Sequence, residues 1–513
     1  MHSWIRFAAA RFTIPLLRPG GWCFYLLLSS LSVAADDQPQ WGTRWTRNLV
    51  SKETRLPESF DPKTKKNVRW IASLGTETHS TPIVAKGRVY IGTNNGQPRD
   101  AKHEGDRGVL MCFDEQTGKL LWQLVVPKRD EDPYYDWPKS GIASTVTVED
   151  DRVYVVSNRG EVMCLDPHGL TNGNDGDFQA EARHMTPKNK DPLPLGATDA
   201  DILWIYDLPS QSGIWPHDAA HSSILILGNH LYVNTGTGVD NTHKKIRTPD
   251  APSLVVIDKR NGKLVARERA GIAPNIFHST WSSPSYAKIN GQPTVCFAGG
   301  NGIVYGFEPA SARPANNEVQ TLRMLWSFDP DPTAPKTEVH RYNTNRREGP
   351  SNIYSLPVID GSKFYFTAGG DLWWGKNEAW LKCIQIGGTR DHPSANEQWS
   401  YPLNRHSLSS PVLYNGLIFT ADCGRVIHCV EAATGKPCWT QEVKGEMWAS
   451  PLVADGKVYL GSRRGDFWIF KASREKQVIA TMDLDSPISA TVTAANRTLY
   501  IATMFQLYAI RAD

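Results

Sequence analysis

The feature that most constrains the fold is a repeated pattern of short β-rich runs, which is most complete in residues 409–439. Within this stretch, Asn415-Gly416 and Thr434-Gly435 mark tight turns between neighbouring runs, and Gly424 interrupts the middle. Paired runs joined by such turns are typical of β-hairpins. We therefore predict a unit of four antiparallel strands, named A, B, C and D in chain order.

The same pattern recurs eight times along the chain. The position of Pro411 is filled in turn by Pro82, Thr145, Ile224, Pro284, Pro357, Pro411, Pro451 and Thr491. Two residues earlier lies a column of small side chains, made of Ser80, Ala143, Ser222, Ser282, Ser355, Ser409, Ala449 and Ser489. A period of about 40 residues with four strands per repeat is typical of a β-propeller blade, with an open solenoid as the alternative.

The two ends of the repeat array favour a closed ring. The eighth repeat stops at Ile510, before any D strand, whereas a D-like strand containing Trp70 precedes the first repeat. Joining these two segments completes the last blade and removes the sheet edges that an open array would expose. The sequence therefore predicts an all-β fold, an eight-bladed β-propeller of four-stranded antiparallel blades that is closed by an N-terminal strand.

The N-terminal residues differ in composition from the repeats. Residues 1–35 carry Arg6, Arg11 and Arg18 without an acidic residue, then an apolar run, then small residues up to Ala35. This pattern predicts a secretory signal peptide that is cleaved near Ala34, and hence a periplasmic or secreted protein. Residues 36–67 are predicted to be an extended leader, and residues 68–513 the propeller.

Charge and cysteine placement narrow the function classes. The formal net charge is +3, and removal of the three Arg residues of the signal peptide leaves it near zero, which gives no electrostatic basis for binding nucleic acid. Four cysteines occupy one position of strand C in different blades, where they are predicted to be free core residues. They are Cys112, Cys164, Cys383 and Cys429. A bridge between Cys423 and Cys438 of one blade stays open.

The insertions between strands sort onto two faces of the ring. The D-to-A and B-to-C connections emerge on one face, which we call the mouth face, and the other connections emerge on the far face. The mouth face receives residues 94–107, 127–140, 236–252, 329–351 and 371–378, and the far face receives residues 168–200, 309–323 and 387–397. The mouth-face insertions are richer in aromatic residues, His and Arg, so we expect binding there.

The candidate ligand-binding residues are those that converge on the channel mouth because they lead into A strands or lie in mouth-face loops. They are His79, His217, Asp218, His221, Trp281, Arg341, His406 and Trp448. Two His residues four apart, as at 217 and 221, would chelate zinc on a helix, but Pro216 makes a helix improbable. The sequence therefore predicts no metal site. A His-lined metal site, with His278 also entering an A strand, and hydrogen bonding of these His residues to the backbone stay as alternatives.

The segments 108–122 and 431–439, each with an acidic residue, a Thr-Gly-Lys turn and a Trp, resemble the tryptophan-docking motif of the pyrroloquinoline-quinone (PQQ)-like repeat superfamily. The resemblance covers roughly residues 68–511 and implies the eight-bladed fold. It leaves function open, because the superfamily includes PQQ-dependent alcohol and glucose dehydrogenases as well as cofactor-free members such as the outer-membrane β-barrel assembly lipoprotein.

The family dehydrogenases hold PQQ over a Trp floor, often beneath a disulfide of adjacent cysteines, with a calcium ion nearby. The resemblance implies Trp281 or Trp448 as the floor and Asn343 or Asp371 as calcium ligands, but the chain has no Cys-Cys pair and lacks the family's usual segment for the catalytic base. The first hypothesis is therefore an exported binding or assembly scaffold without a cofactor, a monomer that takes a protein or small-molecule ligand at the mouth face. The alternative is a PQQ- and calcium-dependent quinoprotein dehydrogenase of alcohols or sugars.

Overall fold

The computed structural model describes residues 36–129, 135, 137–218, 222–311, 318–389 and 392–512. The predicted signal peptide lies outside these residues. The strands of the first four blades, preceded by the N-terminal strand, are β1 (Val68–Ser73), β2 (Ile83–Ala85), β3 (Arg88–Asn94), β4 (Arg107–Asp114), β5 (Leu120–Pro127), β6 (Thr147–Glu149), β7 (Arg152–Val156), β8 (Glu161–Leu165), β9 (Ile202–Asp207), β10 (Leu225–Leu227), β11 (His230–Asn234), β12 (Leu254–Asp258), β13 (Leu264–Arg267), β14 (Ser285–Ile289), β15 (Gln292–Ala298), β16 (Val304–Phe307), β17 (Gln320–Thr321) and β18 (Met324–Phe328).

The strands of the last four blades are β19 (Val358–Asp360), β20 (Lys363–Gly369), β21 (Ala379–Gly388), β22 (Pro393–Leu403), β23 (Val412–Tyr414), β24 (Leu417–Asp422), β25 (Val426–Glu431), β26 (Pro437–Glu442), β27 (Leu452–Ala454), β28 (Lys457–Gly461), β29 (Asp466–Lys471), β30 (Val478–Asp483), β31 (Thr493–Ala495), β32 (Thr498–Ala502) and β33 (Gln506–Ile510). Two short helices are α1 (Glu181–His184) and α2 (Leu208–Ser212). Single 3-10 turns occupy Gly169–Thr171, Ala273–Asn275 and Val339–Tyr342.

These strands form eight sheets, each with four antiparallel strands, which confirms the predicted eight-bladed propeller. Blade 1 is β2–β5, and the following blades continue in chain order, so blade 7 is β27–β30. Ring closure is also confirmed, because β1 pairs antiparallel with β33 and completes blade 8, with Trp70 opposite Ala509. The closing strand leaves no unpaired edge at the junction of the chain ends.

Each D-strand Trp docks on the next blade, and this contact explains the Thr-Gly-Lys turn of the repeat. The indole nitrogen of Trp70 donates to the carbonyl of Glu115 at 2.9 Å, and that of Trp122 donates to the carbonyl of Pro167 at 2.8 Å. Gly118 has a φ of +68°, and a Cβ there would lie 2.6 Å from the Trp70 ring. Glycine is therefore required both by the backbone and by the close ring.

Small side chains of the column, and Ser144 next to it, link neighbouring A strands around the channel. The hydroxyl of Ser80 donates to the carbonyl of Ser144 at 3.0 Å, and the hydroxyl of Ser144 donates to the carbonyl of Ser222 at 2.8 Å. Ser282 donates to the carbonyl of Ser355 at 3.0 Å in the same way. Small hydroxyl side chains thus satisfy backbone groups where the A strands crowd together.

The leader, residues 36–67, crosses the far end of the channel along the inner edges of the A strands. The amide of Val84 in blade 1 donates to the carbonyl of Gln38 at 3.0 Å, and the amide of Val453 in blade 7 donates to the carbonyl of Leu49 at 2.9 Å. Between these points, Arg47 is 0% exposed and donates to the carbonyls of Ile224, Pro284 and Trp41. The leader therefore satisfies backbone groups that a bare channel would leave unpaired.

Two details differ from the sequence-based expectation. Residues 387–397 were expected to form an insertion loop, but much of this segment extends β21 and β22 as a long hairpin, because residues 393–403 continue the ladder. β17 adds a fifth, parallel strand to blade 3.

The seven described cysteines are free, and Cys423 and Cys438 are not bridged. Burial raises the pKa of Cys164 to about 12 and that of Cys383 to about 11, as expected of core thiols.

Candidate functional site at the channel mouth

The mouth of the channel leads into a cavity of about 460 Å³. Six tryptophans lie in its wall: Trp41, Trp137, Trp281, Trp373, Trp374 and Trp448. Ser and Thr side chains of the A-strand segments also line it: Thr81, Ser140, Thr145, Ser223, Ser283, Ser410, Ser450, Ser489 and Thr491. The carboxylates of Glu77 and Asp218 and the imidazoles of His79, His243 and His278 complete the polar part. Aromatic faces and hydroxyl groups are thus combined in one concave site.

Three extended segments bring two of the His residues together. Pro216 forms a β-bridge with Thr237, and Gly238 forms one with Ser279. A Cβ at Gly238 would lie 2.5 Å from the carbonyl oxygen of His278 and 2.9 Å from the Cβ of His217. The absence of a side chain at Gly238 therefore allows these two segments to approach closely.

His217, His243 and His278 form a compact cluster, which we call the His cluster. One imidazole nitrogen from each lies within 4.8 Å of the others. The Nε2 atoms of His217 and His278 are 3.0 Å apart. The Oδ2 atom of Asp218 lies 3.3 Å from Nε2 of His278 and 3.5 Å from Nε2 of His217. The cluster and Asp218 thus bring four donor groups from three separate loops close together.

Asp371 fixes His278 through Nδ1, the ring nitrogen that does not face His217. Its Oδ2 accepts a hydrogen bond from Nδ1 of His278 at 2.9 Å and another from the hydroxyl of Tyr354. Its Oδ1 accepts hydrogen bonds from the backbone amides of Trp373 and Trp374, each at 2.8 Å. Both oxygens of this buried carboxylate are therefore engaged, and the ring orientation of His278 is fixed.

The electrostatics of the cluster place a proton on His278. Burial opposes the charge on His278, but Asp371 and Asp218 outweigh it and raise its pKa to about 10. Burial lowers the pKa of His217 to about 3. Burial raises the pKa of Asp371, but the charge of His278 outweighs it and the pKa falls to about 2. In this protonation state, the positively charged ring of His278 lies between two carboxylates, and its Nε2–H donates to the neutral ring of His217.

The aromatic residues form a continuous wall beside the His cluster. The Trp281 ring lies 4.5 Å from that of Tyr354 and 6.0 Å, edge to face, from that of Trp373. The Trp373 ring also meets that of Trp448 at 6.2 Å. Trp448 in turn stacks against His79 at 5.9 Å, and the guanidinium of Arg463 lies 4.4 Å from the Trp448 ring centroid. These contacts hold large flat surfaces in fixed orientations.

The structure brings together most of the predicted site residues. His79, Asp218, Trp281 and Trp448 line the cavity, and His217 lies directly behind it in the His cluster. His221 lies outside the described residues. The part that each plays in ligand binding stays a prediction.

Two predicted residues are not at the cavity wall. Arg341 has a side chain that is 75% exposed and pairs with Glu338 at 2.8 Å, because it lies on the outer side of a mouth-face loop. His406 is 2% exposed, and neither of its ring nitrogens has a hydrogen-bond partner among the described residues. It packs behind the wall, and burial lowers its pKa to about 4.

His243 is the cluster residue that sequence reasoning missed. It lies in the 236–252 insertion, and its φ of +55° depends on a tight loop in which its amide donates to the carbonyl of Asp240 at 2.9 Å. The placement of this insertion on the mouth face was a usable signal, but no spacing connects His243 to His217 or His278. Asp371 was considered only as a calcium ligand, and its role in holding His278 needs the folded chain.

Comparisons with known proteins agree with the fold. The family of the outer membrane protein assembly factor BamB matches residues 106–172 and 388–486. A quinohemoprotein alcohol dehydrogenase, ADH IIB, of Pseudomonas putida is 27% identical over 417 residues, which cover 75% of this chain and 53% of that protein. The crystal structure of BamB from Moraxella catarrhalis superimposes with a TM-score of 0.53 at 12% identity, over 86% of this chain and 98% of that one.

The repeat motif, the eight-bladed fold and these matches support a PQQ-like repeat propeller. The propeller is related both to BamB and to quinoprotein dehydrogenases. The chain spans about half the length of the quinohemoprotein that it matches. Within the described residues, no helix has the length and apolar character needed to cross a membrane.

Proposed function

We propose that this chain is an exported binding propeller that takes a small, neutral, polyhydroxylated ligand such as a sugar into the cavity at its channel mouth. The single observation that carries the proposal is the composition of the cavity wall, where six tryptophans stand beside a series of Ser and Thr side chains. The C–H faces of a sugar pack on aromatic rings, and its hydroxyls require the donors and acceptors that Ser and Thr supply.

The charge of the wall supports a neutral ligand. The described lining residues include no Lys or Arg, Glu77 and Asp218 are both acidic, and the charge of His278 is already paired with Asp218 and Asp371. An anionic ligand would have to approach these carboxylates without a guanidinium or ammonium group to offset them. A protein partner is a weaker proposal, because the polar and aromatic groups converge inside a cavity rather than on a flat surface.

The same wall fits PQQ poorly. PQQ carries three carboxylates, and among the residues that the structure describes the lining offers no Lys or Arg to neutralise them. Both oxygens of Asp371 already accept hydrogen bonds, so they are engaged in holding His278. The side chain of Asn343 donates to the carbonyl of His243, and Asn343 does not line the cavity. The residues suggested by resemblance for the calcium site therefore have other roles here.

Export is proposed from the pattern of residues 1–35, whose Arg-bearing start, apolar run and small residues are typical of a signal peptide. The expected cleavage site is near Ala34. A chain recovered from its native cells with its N-terminus uncut would contradict this part of the proposal.

The test is a titration of the purified mature chain with a panel of neutral mono- and disaccharides, followed by tryptophan fluorescence and calorimetry. At least one sugar should bind saturably, and Trp281→Ala combined with Trp448→Ala should weaken that binding at least about 100-fold, because two stacking surfaces worth roughly 1.5 kcal/mol each are lost. Trp45→Ala is the matched control, since Trp45 lies in the leader and is 41% exposed.

The quinoprotein relative keeps a second candidate, the PQQ- and calcium-dependent dehydrogenase, in the experiment. The same protein is incubated with PQQ and Ca²⁺ and assayed for reduction of a redox dye with alcohols and sugars. PQQ-dependent reduction that the double Trp variant abolishes would replace the binding proposal with the dehydrogenase. No sugar binding by the wild type, or equal binding by the double variant, would overturn the proposed ligand class or site.

A further inference from the structure

We propose that the His cluster is a binding site for a divalent transition-metal ion such as Zn²⁺, with His217, His243, His278 and Asp218 as ligands. The sequence by itself predicted no metal site, so this inference revises that expectation. It goes beyond the proposed sugar binding and does not depend on it.

The spacing of the donor atoms fits a metal ion. Ligand bonds of about 2.0–2.1 Å in a tetrahedral site place neighbouring donor atoms about 3.4 Å apart. The Nε2 atoms of His217 and His278 are 3.0 Å apart, and Oδ2 of Asp218 lies 3.5 and 3.3 Å from them. These three atoms therefore already outline one face of a tetrahedron, and His243 brings a fourth donor within 4.8 Å of both other imidazoles.

The surroundings of the cluster match those of metal-binding imidazoles. A His that binds a metal through one ring nitrogen commonly donates its other N–H to a carboxylate. His278 does this, because its Nδ1 donates to Asp371 at 2.9 Å while its Nε2 faces the cluster. Asp371 is itself held by the hydroxyl of Tyr354 and two backbone amides, so the orientation of His278 is set before any ion binds.

The backbone supports the same placement. Neighbouring extended segments carry His217 and His278, with Gly238 between them, and a Cβ at Gly238 would lie 2.9 Å from the Cβ of His217. Two imidazoles held this close, with 1% and 2% of their side chains exposed, have poor access to water. A metal ion would accept a lone pair from both Nε2 atoms and from the Asp218 carboxylate at once, whereas a hydrogen bond joins only two of these groups.

The donor set also indicates the class of ion and the access to it. Imidazole nitrogens with one carboxylate suit Zn²⁺, Cu²⁺, Ni²⁺ or Fe²⁺ and not the oxygen-preferring Ca²⁺ or Mg²⁺. His243, His278 and Asp218 line the cavity, so the ion would lie in its wall. An ion that adds a fifth ligand there would meet the hydroxyl or carboxylate oxygen of a molecule in the cavity.

The test uses the untagged mature chain, stripped with a chelator and titrated with Zn²⁺ by calorimetry, with bound metal measured by mass spectrometry. One ion per chain is expected, and Co²⁺ should give the intense visible bands of a tetrahedral site. His217→Ala combined with His243→Ala should lower Zn²⁺ affinity at least 1000-fold. The positioning variant Asp371→Asn should lower it about 10–100-fold while the Co²⁺ bands persist.

The matched control is His79→Ala, which removes a cavity-lining His outside the cluster and should leave Zn²⁺ affinity within about twofold of the wild type. Circular dichroism checks that each variant folds. Gly238→Ala is a second variant that should disrupt the site without removing a donor atom, because its Cβ would lie too close to the segments that carry His217 and His278. Absence of a stoichiometric ion in the wild type, or equal Zn²⁺ affinity in the double His variant, would overturn the proposal. Sugar binding that survives the loss of the ion would leave the proposed function intact.

Discussion

The two ends of the channel are built from the same A strands but by different means. At the far end, one continuous segment, the leader, satisfies the inner strand edges through its backbone and through Arg47. At the mouth, side chains from separate loops converge, and several donor atoms of the His cluster face one another. The far end therefore resembles a structural closure, in which groups are satisfied internally, and the mouth resembles a site prepared for a ligand.

The largest expected effect comes from removing the closure. Deletion of residues 36–56 takes away Trp41, Leu49 and Leu56, which are 8%, 4% and 3% exposed. At about 1.5–3 kcal/mol for each large apolar side chain, the loss is at least about 5 kcal/mol of unfolding free energy. Denaturant unfolding followed by circular dichroism measures it. A deletion variant as stable as the full mature chain would show that the leader only covers the channel and does not hold it.

A single residue tests the same end more sharply. Arg47→Ala leaves the buried carbonyls of Pro284 and Trp41 without this donor, takes one of two donors from the carbonyl of Ile224, and should cost about 3–4 kcal/mol. Arg44→Ala, three residues earlier, removes an Arg whose side chain is 61% exposed and should cost under about 1 kcal/mol. Equal losses in denaturant unfolding for both variants would mean that burial of Arg47 is not what stabilises the far end.

The mouth end should instead respond to pH. His406 has a pKa lowered by burial from 6.5 to about 4, so the unfolded chain binds the proton more readily than the folded chain. Its contribution to stability is fully present above pH 6.5 and is lost as the pH falls from 6.5 towards 4, by roughly 3 kcal/mol.

The measurement compares unfolding free energies at pH 7 and pH 4 for the wild type and for His406→Phe, which cannot titrate. The wild type should lose more stability over this interval than the variant does. His103→Phe serves as the control at another buried His, which lies in a mouth-face insertion but does not line the cavity. An identical pH dependence in the wild type and in His406→Phe would contradict the assignment of a buried, neutral His406.

The sequence by itself determined the fold. The repeated anchors, the small-residue column and the glycine turn that precedes a D-strand Trp predicted eight blades and their closure through Trp70, because these features are local and recur along the chain. It also determined which insertions share the mouth face, since strand order fixes on which face each connection emerges. Four of the predicted residues accordingly line one cavity although they are far apart in the chain.

Only the tertiary structure decided how the site is assembled. His217, His243 and His278 come from three loops, and no sequence period relates them, so their convergence depends on the segments joined through Gly238. The exposure of Arg341 and the burial of His406 depend in the same way on loop packing. The sequence predicted only that the leader is extended. Its contacts could not be predicted, because its backbone partners are A strands distributed around the ring, and contacts between such distant segments leave no pattern in a single chain.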